Sequence, residues 1–190
     1  KYLTVVSAVL SDAKRNEIIQ KNPARMIDLP QCEQSKQFVP TDEEAQLLLT
    51  AFCNLPLTYE TYYVLAMFTG CRRGELCALK WSDVTIYDNY DWATINISRS
   101  RSSVPGNGVV EGSTKSGRSR TVAVGSDIAG LIACLYTEKE REANERGEEL
   151  SKYIFTNEHG KLIHPDTFSK TLRKIYDSIG LPHEFHLHTL

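Results

Sequence analysis

The sequence predicts a mainly helical α+β protein with a small antiparallel sheet of about three strands. Three signals follow one another along the chain to predict it. Apolar residues recur at helical spacing (Ala45, Leu48, Leu49, Phe52), strict alternation takes over at 91–98 and 120–124, and helical spacing returns after 127. The order is therefore helices, sheet, helices.

Taken from the start, residues 1–21 read as a helix, with Leu3, Val6, Leu10 and Ala13 on one stripe and Asn22-Pro23 ending the run. The stripe has nothing local to bury against, so the expectation is the last helix of a preceding domain. Residues 22–40 hold Pro23, Pro30 and Pro40 with few periodic apolar positions, the composition of a linker. Thr41-Asp42-Glu43-Glu44 fits a capping box that opens the next helix. Helices are expected over about 59–68 and 72–80, with Gly70 supplying the turn between them.

In 91–98, Ala93, Ile95 and Ile97 share one face of a strand. The stretch 120–124 alternates again, and Val84-Thr85-Ile86-Tyr87 offers a short third strand. A Gly- and Ser-rich connection joins the two longer strands. Helices follow at about 127–146 (Ile128, Leu131, Ile132, Leu135) and 165–179 (Phe168, Leu172, Ile175, Ile179), the second closed by Gly180 and Pro182.

The 190 residues carry 22 basic and 24 acidic side chains, a net charge of −2, which excludes a uniformly basic coat but not a local basic stripe. No apolar run approaches the roughly 20 residues that span a bilayer, and no signal peptide opens the chain, so membrane and secreted classes are not expected. Cys32, Cys53, Cys71, Cys77 and Cys134 are odd in number and form no CxxC pair. Reduced thiols in a cytosol fit that spacing better than a disulfide frame or a zinc site.

Chemistry concentrates in three places. The first is 69–83, Thr-Gly-Cys-Arg-Arg-Gly-Glu-Leu-Cys-Ala-Leu-Lys-Trp-Ser-Asp, a glycine turn feeding a helix whose start carries Arg72 and Arg73. Cations at a helix N-terminus oppose its dipole unless an anion compensates. Glu75 lies three residues beyond Arg72 and can orient it. A guanidinium held this way offers a planar fork to phosphate oxygens. A plain structural Arg–Glu pair is the competing reading.

The second is the run from 99 to 120, where Arg99, Arg101, Lys115, Arg118 and Arg120 face a single acid, Glu111. Long cations on a hairpin can follow a phosphate backbone, while Thr114 and the serines add neutral hydrogen bonds. A solvated loop is the alternative. The third is 183–190, with His183, His186 and His188. Three histidines suggest a metal, but their spacing matches no standard zinc site.

The first segment resembles the first arginine box of the tyrosine recombinases, the phage integrase family, whose pattern is T-G-x-R-x-G-E-x-x-x-L-x-W-x-D. Thr69, Gly70, Arg72, Gly74, Glu75, Leu79, Trp81 and Asp83 meet every fixed position. The resemblance implies that fold and assigns the catalytic arginine to Arg72. It implies that Lys115, in its Thr114-Lys115…Ser119-Arg120 context, is the general acid, and that His188-Thr189-Leu190 opens the second box, H-x-L-R-H. His186 competes for that position, but Leu187-His188 would then fill the x-L places wrongly.

By the same resemblance, the second arginine, a further histidine or tryptophan and the nucleophilic tyrosine belong after Leu190, leaving the chain inactive alone. Residues 1–30 resemble the end of a helical core-binding domain, 31–40 a linker and 41–190 a catalytic domain. The implied activity is metal-independent strand exchange in duplex DNA, with no cofactor. Other recombinase protomers are the implied partners, and the location is cytoplasmic, on the nucleoid when DNA is bound. Two further readings stand beside it: a DNA-binding module of the same fold without catalysis, and an α+β protein with no nucleic-acid role.

Overall fold

Thr41 opens the larger of two compact units by closing both halves of a capping box. Its hydroxyl accepts from the Glu44 N–H at 3.3 Å, and the Glu44 carboxylate accepts from the Thr41 N–H at 2.8 Å. The computed structural model describes residues 2–28, 39–104, 106–114 and 117–182, with Asp88 described for its backbone alone. The chain divides into the units Lys1–Lys36 and Gln37–Leu190. Most of the segment read as a linker lies outside the described residues.

In the smaller unit, helix α1 (Tyr2–Arg15) is joined to a short turn at Pro23–Met26. Asn22 ties them together. Its amide donates to the Ser7 carbonyl (2.9 Å) and the Ser11 hydroxyl (2.8 Å), while its carbonyl accepts from the Ala24 N–H (3.0 Å). No residue of α1 is buried, in keeping with an apolar stripe that has no local partner.

The larger unit begins with α2 (Asp42–Phe52) and α3 (Leu57–Thr69), and ends with α5 (Ser126–Arg146) and α6 (Pro165–Ile179). Aromatic rings lock α2, α3 and α6 together. Tyr62 on α3 stacks on Phe168 of α6 with centroids 3.6 Å apart, and the Tyr63 hydroxyl donates to the Phe168 carbonyl at 2.7 Å. Phe52 stacks on the opposite neighbour, Tyr63, at 5.0 Å. None of the described helices is long and apolar enough to cross a membrane.

The expected alternation produces β1 (Val84–Tyr87), β2 (Trp92–Ile97) and β5 (Arg120–Gly125), an antiparallel sheet in the order β1-β2-β5. Ala93, Ile95 and Ile97 all face the core, opposite Val124, Val122 and Arg120. The connection between β2 and β5 holds more structure than its composition suggests. Strands β3 (Arg99–Val104) and β4 (Gly108–Ser113) pair as a separate two-stranded ribbon. β3 is polar and serine-rich and neither strand buries an apolar face, so no period of two marks them in the sequence.

The helix expected over 72–80 is one turn long, α4 (Arg73–Leu76). Beyond it the hydrogen bonds tighten to three-residue spacing, from Ala78 to Glu75 and from Leu79 to Leu76, each 3.1 Å. The chain is then drawn into extended pairing with 152–154: the Trp81 N–H donates to the Lys152 carbonyl and the Ile154 N–H to the Leu79 carbonyl, both at 3.1 Å.

Gly74 lets α4 lie directly on β3. A Cβ there would sit 2.5 Å from both the Arg101 carbonyl oxygen and the Ser100 Oγ. Gly74→Ala should therefore cost about 1–3 kcal/mol, read as a fall in Tm of roughly 2–4 °C per kcal/mol. Gly112→Ala, where a Cβ meets nothing within 4 Å, serves as the control. Equal melting temperatures for the two variants would contradict the close approach.

Candidate active site

Thr69 ends α3, and Gly70 reverses the chain in the left-handed region at φ 58°. The Thr69 hydroxyl steadies the turn, donating to the Leu65 carbonyl and accepting from the Cys71 N–H at 3.3 Å. Arg72 follows in an extended conformation, and its carbonyl accepts the first hydrogen bonds of α4 from the Glu75 and Leu76 N–H groups. Its side chain thus leaves the backbone just outside the helix, half exposed at 50%.

Glu75 lies beneath it with its side chain 1% exposed. One carboxylate oxygen, Oε2, accepts from the Arg72 backbone N–H at 2.9 Å, and Oε1 accepts from Arg72 Nη1 at 3.1 Å. Arg120, the first residue of β5, closes on the same group from the sheet side. Its Nη1 donates to Oε1 at 3.1 Å and its Nη2 to Oε2 at 2.7 Å, the planar two-point pairing of guanidinium with carboxylate. Two cations thus share one buried anion, leaving a local charge of +1.

Burial pushes the Glu75 carboxyl up, but hydrogen bonds from Arg120 and Arg72 outweigh it and hold the group below the ordinary glutamate value. Burial also raises the neighbouring thiols, Cys71 and, to about 11, Cys77. Neither is a thiolate near neutral pH.

The second arginine of the pair turns away from this cluster. Arg73 Nη1 donates to Asp166 (2.8 Å) and to the Ser169 hydroxyl (3.1 Å) on α6, and its carbonyl accepts from the Tyr62 hydroxyl at 3.3 Å. The segment therefore divides its arginines between anchoring (Arg73) and presentation (Arg72).

The basic ribbon forms a second cluster. Arg99 pairs with Asp83 and lies 3.8 Å from Glu111. Glu111 accepts from Lys80 Nζ at 3.2 Å and from the Tyr153 hydroxyl at 2.8 Å. Burial raises the Glu111 carboxyl, but those bonds and the nearby cations hold it below its ordinary value. Arg101 sits with its guanidinium carbon 5.6 Å from the centre of the Tyr153 ring.

Thr114 is buried, and its hydroxyl donates to the Arg118 carbonyl at 2.7 Å, closing the turn whose outer residue Arg118 is exposed. Of the sequence-derived candidates, Arg72, Glu75 and Arg120 converge, while Arg99 and Arg101 gather at the ribbon base and Thr114 braces the turn. Lys115 and His188 lie outside the described residues. Among the described residues, no group of three or more His, Cys, Asp or Glu side chains could hold a metal ion.

Sequence reasoning missed the anchors Lys80, Tyr153 and Asp166. Asp83 carried a signal, as a fixed position of the recombinase pattern. Its carboxylate accepts from the Lys80 N–H at 2.9 Å while pairing with Arg99, so it fixes the ribbon to the end of the arginine box.

A depressed carboxyl pKa in the folded state means that the unfolded chain binds more protons in acid. The stability due to Glu75 is complete above the ordinary glutamate value and is lost as pH falls toward the lowered one. Glu75→Gln should cost about 1–3 kcal/mol at pH 7 in urea unfolding. The gap to the parent should narrow below about pH 4. A gap that stays constant through the acid range would contradict the shared carboxylate.

Comparison with known proteins agrees with this architecture. The family model described as "Phage integrase family" matches residues 39–190. The integrase of Mycobacterium phage L5 is 29% identical over 191 aligned positions, covering 98% of this chain and 47% of that protein. A XerC-like tyrosine recombinase of Caldanaerobacter subterraneus is 28% identical, covering 77% of this chain and 40% of its own length. The chain thus spans about half the length, or less, of these curated relatives.

Among solved structures, the Tn1549 transposon integrase in complex with a circular intermediate DNA superposes with a TM-score of 0.75 at 16% identity, covering 96% of this chain and 60% of that one. A lambda integrase tetramer bound to a Holliday junction superposes at 0.62 and 18% identity, covering 98% and 49%. These two likenesses establish the fold, and the family match extends over most of the sequence. The chain belongs to the phage integrase family.

Proposed function

We propose that this chain carries most of the catalytic domain of a site-specific DNA recombinase, at 41–190, preceded by the end of a core-binding domain at 1–30 and a linker at 31–40. The observation that carries this reading is the half-exposed Arg72 guanidinium, held by a buried carboxylate in a cluster with a net positive charge. Such a fork suits the nonbridging oxygens of a phosphodiester, and preorganised positive charge stabilises the additional negative charge of a pentavalent transition state.

In the reaction, a tyrosine attacks the scissile phosphorus, forming a 3′-phosphotyrosyl bond as the 5′ oxygen departs and takes up a proton. A 5′-hydroxyl from a second strand then attacks that bond, rejoining DNA and releasing the tyrosine. The covalent link retains the energy of the broken bond, so neither metal nor nucleotide hydrolysis enters. Arg72 binds the phosphate. Lys115 donates the proton to the leaving oxygen, as an ammonium can and a guanidinium effectively cannot. His188 assists by hydrogen bonding or proton transfer.

By the family's pattern, the nucleophilic tyrosine comes after the second box, which His188 opens. Tyr62, Tyr63 and Tyr176 are core residues whose hydroxyls are pushed up by burial, and the Tyr153 hydroxyl is committed to Glu111. Duplex DNA and further protomers are the partners. The DNA complex of the Tn1549 integrase and the lambda integrase tetramer on its junction support both. The place of action is the cytoplasm, where the DNA is.

Duplex binding by the chain should weaken steeply with salt, and Arg72→Ala should reduce the slope of log K against log salt by about one. Salt-independent binding, unchanged by Arg72→Ala, would favour a protein with no nucleic-acid role. On a nicked suicide substrate, these 190 residues should form no covalent adduct, and a phosphotyrosyl product would overturn the assignment of the nucleophile.

A further inference from the structure

Strand β5 follows the Thr114–Arg118 hydrogen bond, and its first side chain, 40% exposed, reaches across to α4. We propose that Arg120 is a positioning residue: it fixes the plane of the Glu75 carboxylate, so that Arg72 is held through one oxygen and keeps the rest of its guanidinium open to a phosphate. This deepens the recombinase reading and rests on it.

The geometry is an inventory of lone pairs. A carboxylate offers about four acceptor sites. Arg120 takes one on each oxygen, at 3.1 and 2.7 Å, which defines the plane. The Arg72 backbone N–H takes a further site on Oε2 at 2.9 Å, leaving Oε1 alone for the Arg72 side chain, at 3.1 Å through Nη1. A guanidinium has about five N–H donors, so the others remain available on a half-exposed side chain.

Without Arg120, the same carboxylate could accept both arms of the Arg72 fork. The pair would then be neutral, and Arg72 would be folded back on its own support. With Arg120, the cluster keeps its positive charge and Arg72 is held at the surface. Arg120 spends its own fork on Glu75, and its Nη2 also lies 3.7 Å from Cys71 Sγ. A direct role on DNA, expected from the run of basic residues, gives way here to one exerted through Arg72. The same ion pair ties the first residue of β5 to the helix that follows Arg72.

Arg120→Lys separates charge from geometry, because the ammonium keeps the formal charge but cannot define a plane. In fluorescence anisotropy with a duplex oligonucleotide, Arg120→Lys should bind about tenfold more weakly than the parent. In an Arg72→Ala background the same substitution should have no further effect. Parental affinity in Arg120→Lys, or the same loss in both backgrounds, would overturn the proposal, the latter by making Arg120 a DNA contact in its own right.

Should Arg120→Lys fold poorly by circular dichroism, Arg120→Gln repeats the comparison. A DNA-free measurement keeps the two readings apart. The side-chain nitrogen NMR signals of Arg72, identified by their loss in Arg72→Ala, should move in Arg120→Lys, and signals that stay in place would overturn the positioning role. If Arg72→Ala leaves DNA affinity and its salt dependence intact while those signals move, the recombinase reading fails and the positioning of Arg72 stands.

Discussion

A buried carboxylate shared by two half-exposed guanidinium groups organises the site of this molecule. Glu75 could not remain ionised at 1% exposure without partners, because desolvation alone favours its neutral form. Arg72 and Arg120 supply the compensation, and in return each is held where a flexible side chain would otherwise wander. The helix that carries Glu75 is only one turn long, so its own hydrogen bonds fix little. Its position is set by the glycine contact with β3, by Arg73 on α6 and by Arg120 on β5.

The same arrangement recurs at lower burial in the ribbon. β3 and β4 present no apolar face, and their attachment to the domain runs through charged and aromatic groups: Arg99 on Asp83, Lys80 and Tyr153 on Glu111, and Arg101 beside the Tyr153 ring. Most of the cations that composition marks as a phosphate-binding run are thus engaged with the protein itself. Those pairs are partly exposed, so each contributes modestly to stability. Their geometric effect is larger, because they fix the ribbon to the end of the arginine box.

The helices and the three-stranded sheet were legible because burial imposes a period. Ala93, Ile95 and Ile97 alternate because one face of β2 meets the core, and Phe168, Leu172 and Ile175 repeat because one face of α6 does. The ribbon was illegible for the converse reason: Arg99, Ser100, Arg101, Ser102 and Ser103 carry no apolar period, and backbone pairing alone sets their register. The end of α4 was missed because Leu76 to Leu79 are buried on every side, which helical and irregular backbone satisfy equally. At the site, the Arg72–Glu75 pair followed from spacing within one element. The Arg120–Glu75 pair spans 45 positions and two elements, and no local pattern encodes it.

A crystal structure of the chain bound to duplex DNA would show whether Arg72 meets a phosphate. It should place Arg72 N–H donors roughly 2.7–3.2 Å from nonbridging oxygens of a single phosphate, with Arg120 still closed on Glu75. Arg72 folded two-pronged onto Glu75, with DNA lying on another face of the domain, would contradict it.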